Sequence, residues 1–160
     1  MKFLTNILNW IKSWFSKPEP IPTPPVTPDL PDEIEIIKLK LFELHNEQRQ
    51  KRNIKLLQYN KFLESSAQKH NDWMDQNNKL SHSEPGRDLG ERVREQGYDW
   101  KWVGENIAMG QVTAEQVMNS WMNSSGHKAN ILNGHFVDVG FGVSRDKRGI
   151  YWWTANFGAQ

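Results

Sequence analysis

The chain has 160 residues, with 20 Lys and Arg against 19 Asp and Glu for a formal net charge of +1. That length holds one domain of roughly 100–150 residues and an appendage, and the near-zero balance supplies no global field for nucleic acid or an acidic partner. Cysteine is absent, which excludes disulfides, thiolate metal sites and a Cys nucleophile.

Residues 1–17 place Phe3, Leu4, Ile7, Leu8, Ile11, Trp14 and Phe15 at i, i+3, i+4 spacing, with Lys2, Asn6, Asn9, Ser13 and Lys17 mostly on the other side. The pattern predicts an amphipathic helix with the aromatic and basic character of membrane-surface helices. It is too short and interrupted to span a bilayer, which takes about 20 largely apolar residues. No small-residue cleavage site follows it, as a clean secretory signal requires. An interfacial anchor, an atypical export signal and a helix docking on protein all fit.

Seven of the eight prolines fall between Pro18 and Pro31. Proline fixes φ and removes a backbone donor, so residues 18–31 read as an extended linker, with a reach on the order of 40 Å.

The remaining 32–160 read as one domain. A first helix is predicted from Asp32 to about Arg52, with Ile37, Leu41 and Leu44 on one face, and a second from about Lys61 to Asn78 carrying Leu63, Ala67, Trp73 and Met74. A third covers Asp88 to Gln96 and stops at Gly97, which accepts a left-handed cap. Thr113 opens a fourth with Gln116 three residues on, a capping-box pattern, and Val117, Trp121 and Met122 form its inner face. The period then changes to two. Val137, Val139, Phe141 and Val143 alternate, and Asp146-Lys147-Arg148-Gly149 turns into Ile150–Phe157, a β-hairpin signal. Helices first and strands last imply an α+β arrangement.

Few residues carry chemistry. All five histidines, His45, His70, His82, His127 and His135, lie in the domain, and no H-E-x-x-H is present. His82-Ser83-Glu84 lacks the Cys pair that a zinc deaminase needs, and Ser125-Gly126-His127-Lys128 lacks the companions of an S-x-x-K enzyme. There remain His82 in KLSHSEPG, Glu105 in VGENIA and His127 in WMNSSGHKANIL, all read as lying where loops meet elements, where binding groups concentrate. Two imidazoles and a carboxylate suit a divalent metal, although periodicity alone does not bring the three together.

Five ordered segments change that weighting. Leu44-His45-Asn46-Glu47-Gln48-Arg49, Ser66 to His70 through Ser81-His82-Ser83, Gly104-Glu105-Asn106-Ile107-Ala108, Val117 to Leu132, and Val139–Val143 with Tyr151–Gly158 resemble the successive motifs of the CAP superfamily (cysteine-rich secretory, antigen 5 and pathogenesis-related proteins; the SCP domain) in its bacterial form. The resemblance implies a three-layer α-β-α sandwich with a small antiparallel sheet. It implies a cleft of two histidines and two acids, onto which His82, Glu105 and His127 map. The second acid is replaced by Ser124, and a hydroxyl cannot act as a general base without help.

By the same resemblance, His82 and His127 are the expected ligands of Zn²⁺ or another divalent cation, and no other cofactor is implied. Ser124, Trp100, Trp102 and Asn106 are candidate cleft-lining residues. His45 and Asn46 are expected to tie the first helix to the core, His70 to be an ordinary position on the second helix, and His135 a loop residue. Trp73, Trp121, Trp152 and Trp153 are expected in the core.

Two function classes follow from the resemblance. One is a binding module for a small-molecule, lipid-like or peptide ligand at a cell or particle surface, extracellular or tethered by membrane-surface contact through residues 1–17. The other is a metal-assisted hydrolase in which Glu105 takes a proton from water held by His82 and His127. A monomer with no nucleic-acid partner is expected in either case.

Overall fold

In the computed structural model the described residues are 32–160, which lie within one compact unit; the expectations for residues 1–17 and 18–31 fall outside them. The first helix, α1 (Glu33–Gln50), starts on Asp32, whose carboxylate accepts from the Ile34 N–H. Its buried line runs through Lys38, Leu41, His45 and Arg49. Three of these four are polar, so the face is held by bonds as well as by burial. Asn46 both donates to the Leu57 carbonyl and accepts from the Leu57 N–H, tying α1 to the strand that follows. That strand, β1, is only Gln58–Tyr59.

Helix α2 (Lys61–Gln76) is capped by the Asn60 side chain, and its inner face includes Leu63, Ala67, His70 and Met74. The short α3 (Leu89–Glu95) begins in a complete capping box between Asp88 and Glu91. Gly97 follows at φ +94°, the left-handed position expected of it. Strand β2 spans Trp102–Met109, α4 spans Ala114–Asn123 and α5 spans Ser125–Ile131. At α4, the Thr113 hydroxyl accepts from the Gln116 N–H as predicted. The Gln116 side chain, however, reaches one residue further back, accepting from the Val112 N–H, so the box is not closed on Thr113.

Strands β3 (Asp138–Arg145) and β4 (Tyr151–Ala159) form the hairpin read from the alternation. The sheet order is β1-β3-β4-β2, antiparallel except for the two-residue parallel contact of β1 with β3. All nine residues of β4 are buried, as a strand covered on both faces requires. On one side Val139, Phe141, Val143, Trp153, Ala155 and Phe157 join Leu41, Val117 and Trp121 in the main core. On the other side lie α2 and α3. A Cβ at Gly140 or Gly142 would run into the α2 backbone at Leu63–Glu64 or Ala67–Gln68, so these glycines let the helix sit directly on β3. The result is the α-β-α sandwich. No helix among the described residues is long and apolar enough to cross a membrane.

Candidate functional site

Strand β2 is an edge strand, and its alternation sends neighbouring side chains to opposite layers. Asn106 points toward α5, donating to the His127 carbonyl at 3.0 Å. Glu105 points the other way, to α3, where Arg92 meets it at 2.7 Å. Side chains close the open edge itself. Asn130 donates to the Glu105 carbonyl, and the Trp121 indole donates to the Ile107 carbonyl, which blunts an edge that would otherwise invite another strand. His82 and His127 therefore reach the same region from opposite layers, one on the loop after α2 and the other on α5.

Glu105 is the centre of the arrangement. Its Oε1 lies 2.9 Å from His82 Nδ1 and 3.8 Å from His70 Nε2. Its Oε2 accepts from Arg92 Nη2 at 2.7 Å and, with the Asn156 amide oriented to satisfy both its ends, from Asn156 Nδ2 at 3.1 Å. Both oxygens are committed and the residue is buried. Because an ionised carboxylate only accepts, His82 Nδ1 carries the proton that faces Glu105, and Nε2 is left as the outward nitrogen. The His82 side chain is 56% exposed, so that nitrogen belongs to the accessible part of the site.

His127 is part-buried. Burial holds its imidazole below the ordinary value, and repulsion from His82 lowers it further. Both effects favour the neutral, ligand-accepting form of His127. Among the described residues, no group of three or more His, Asp or Glu has an arrangement that would hold a metal ion. The donor set therefore fits a cation only as a pair of imidazoles with Glu105 behind one of them, its other ligands coming from water or from a bound molecule.

Glu105 and His127 sit within a strand and a helix, not where loops meet elements as expected. Ser124 occupies the junction of α4 and α5 and makes no side-chain cap bond there. Trp102 is half exposed and stacks on His135, with ring centroids 4.8 Å apart. Trp100 is packed against α3, its indole donating to the Gly90 carbonyl and its ring carrying the Arg94 guanidinium. Trp121, Trp152 and Trp153 are core residues, whereas Trp73 is only partly buried and stacks on His70.

Three residues of the site were missed. His70 is fully buried, with Nδ1 2.8 Å from Glu84 Oε1 and Nε2 2.8 Å from the Ser81 carbonyl. Arg92 bonds the His82 carbonyl at 2.9 Å as well as Glu105. The signal for His70 was present, since Leu63, Ala67, His70 and Met74 share one helical face and a polar residue on a buried face needs partners. Glu84 entered only through the H-x-E pattern that was set aside, and nothing in the sequence marked Arg92.

Residues 42–157 match the Cysteine-rich secretory protein family, CAP. The YkwD protein of Bacillus subtilis (strain 168) is 38% identical over 118 residues, 72% of this chain and 46% of its own length. Here the chain spans about half of a longer relative. Among solved structures, an extracellular protein containing a SCP domain from Bacillus anthracis str. Ames is 31% identical, with a TM-score of 0.75 over 86% of this chain and 45% of that one. An outer surface protein from Borrelia burgdorferi is 24% identical, also with a TM-score of 0.75, over 81% of this chain and 96% of that one. It shares the fold. With 116 of its residues inside the family match, and although it contains no cysteine, the chain belongs to the CAP family as a bacterial-type member.

Proposed function

We propose that the domain is an extracellular binding module. Its site presents two imidazoles, His82 and His127, to a divalent cation such as Zn²⁺ or to a small, lipid-like or extended ligand directly. The observation that carries this reading is the state of Glu105. A general base must lie within hydrogen-bond reach of the water it deprotonates, and Glu105 is buried with its oxygens turned to His82, Arg92 and Asn156. Glu105 instead does what a carboxylate behind a ligating histidine does, fixing the tautomer and raising the basicity of the outward nitrogen. When bound, a divalent cation would supply a positive centre with open positions for an oxygen ligand.

The extracellular setting is supported by the kinds of protein the fold is shared with, described as extracellular in B. anthracis and as an outer surface protein in B. burgdorferi. Surface attachment through residues 1–17 is part of the proposal. Vesicle flotation of the full chain against a chain lacking residues 1–31 tests it, and equal flotation would remove it.

The direct test is calorimetric titration of the full chain with Zn²⁺ beside the His82→Ala, His127→Ala double variant. One equivalent bound by the wild type and none by the folded variant is expected. No binding by the wild type would end the cation reading and leave direct ligand binding. Cation-dependent hydrolysis that is abolished in the double variant would favour the hydrolase instead.

A further inference from the structure

The loop that carries His82 is held at two consecutive carbonyls, each by a buried basic side chain on a different helix. From α2, His70 faces the Ser81 carbonyl through Nε2 at 2.8 Å. From α3, Arg92 donates to the His82 carbonyl at 2.9 Å. Each of these side chains also meets an acid. The other nitrogen of His70 lies 2.8 Å from Glu84 Oε1, and the other arm of Arg92 lies 2.7 Å from Glu105 Oε2. Links across the two pairs, 3.7 Å from Arg92 Nε to Glu84 and 3.8 Å from His70 Nε2 to Glu105, join them into one cluster. All four side chains are at most 7% exposed; Arg87, 3.5 Å from Glu84, is 40% exposed and closes the rim.

Donor counting gives this cluster a definite form. A carbonyl and an ionised carboxylate only accept, and a neutral imidazole donates from one nitrogen alone. Both contacts of His70 are satisfied together when the ring donates from both nitrogens. Two buried carboxylates are then matched by two buried cations, which is how buried charge is tolerated. Trp73, stacked on the ring with centroids 5.9 Å apart and planes within 6°, holds it in the orientation that both bonds need.

We infer that His70 is a positioning residue for the site, acting as a buried imidazolium that clamps the Ser81 carbonyl and Glu84, so that the loop delivers His82 to Glu105 in a single tautomer. This rests on the reading of His82 as the ligand-facing residue, but its test does not depend on binding. The full chain, labelled with ¹⁵N, is observed by long-range ¹H–¹⁵N correlation at pH 7. Both ring nitrogens of His70 are expected to be protonated, with a proton on His82 Nδ1. A His70 ring with one bare nitrogen would overturn the proposal, because the missing proton would then reside on Glu84 or the clamp would not exist.

His70→Gln keeps one donor and loses the other. In the folded variant, His82 is expected to populate both tautomers, and Zn²⁺ affinity to fall about tenfold, the lower range for losing an outer-shell partner. An unchanged His82 tautomer in that variant would equally overturn the proposal. A wild type that binds no Zn²⁺ would count against the cation reading alone, with the nitrogen spectra still deciding the role of His70.

Discussion

The Glu105 carboxylate lies 2.9 Å from His82 Nδ1, joining a side chain that is 2% exposed to one that is 56% exposed. The pair is where the interior of the protein meets its accessible surface. Orientation is set from the buried end, because Glu105 is itself held by Arg92 and Asn156.

Glu105→Gln keeps the size of the side chain and removes its charge. Arg92 would be left as a buried cation with one acid fewer, and breaking a buried pair on one side costs about 3–5 kcal/mol. Urea unfolding should show a loss of that order, together with loss of the single His82 tautomer. A change below about 1 kcal/mol would mean that water reaches Arg92 and that the cluster is not sealed.

Arg49 is fully buried and donates to four carbonyls, those of Lys55, Ile131, Asn133 and Phe136. It thereby fastens the end of α1 to the end of α5, the helix that carries His127. Arg49→Met fills similar space without donors and leaves the carbonyls unpaired, each at roughly 1–3 kcal/mol. The variant is expected to lose at least about 3 kcal/mol by urea unfolding, and His127 resonances should broaden or shift although no contact of His127 was altered.

His45 makes stability depend on pH. Burial lowers its imidazole to about 4 from an ordinary 6.5, with Arg49 adding to the effect and the bond to the Leu41 carbonyl opposing it. The folded value lies below the unfolded one, so the unfolded chain binds the extra proton first. This contribution is therefore complete above about pH 6.5 and is lost as pH falls toward 4. The shift corresponds to about 3 kcal/mol. Stability measured by urea unfolding from pH 7 to pH 4 should fall by that order, and a His45→Gln variant should show a flatter profile. Parallel profiles would assign the slope to other groups.

Two glycines should respond in opposite ways to the same methyl group. At Gly140 an added Cβ meets the α2 backbone at Leu63 and Glu64, whereas at Gly126 in α5 nothing lies within 4 Å. Gly140→Ala is expected to cost more than about 3 kcal/mol through overpacking. Gly126→Ala should add roughly 0.5–1 kcal/mol, the ordinary gain of alanine in a helix. Thermal melting of the two variants checks both. An indifferent Gly140→Ala would mean that α2 can lift from β3 without penalty.

Elements whose signals are local were legible in the chain. The capped helices α2 and α3, the Gly97 stop and the β3–β4 hairpin follow from side-chain period and turn chemistry, which operate over a few residues. Strand β2 was not read, because Gly104, Glu105 and Asn106 interrupt its apolar alternation. Those polar residues are tolerated there only because Arg92, Asn130 and the His127 carbonyl, all distant in sequence, satisfy them. Helix α5 was likewise hidden in a Ser-Ser-Gly stretch that resembles a turn.

The sequence by itself determined the fold, through five ordered motifs and the spacing of its apolar residues, and it singled out His82, Glu105 and His127. The tertiary structure alone decided what those residues can do. It placed His82 and His127 on opposite sides of the edge strand that carries Glu105, tied both Glu105 oxygens, and added His70, Glu84 and Arg92 behind them. Hydrogen-bond partners and buried charge balance are relations between distant segments, and only the packed chain brings those segments within reach of one another.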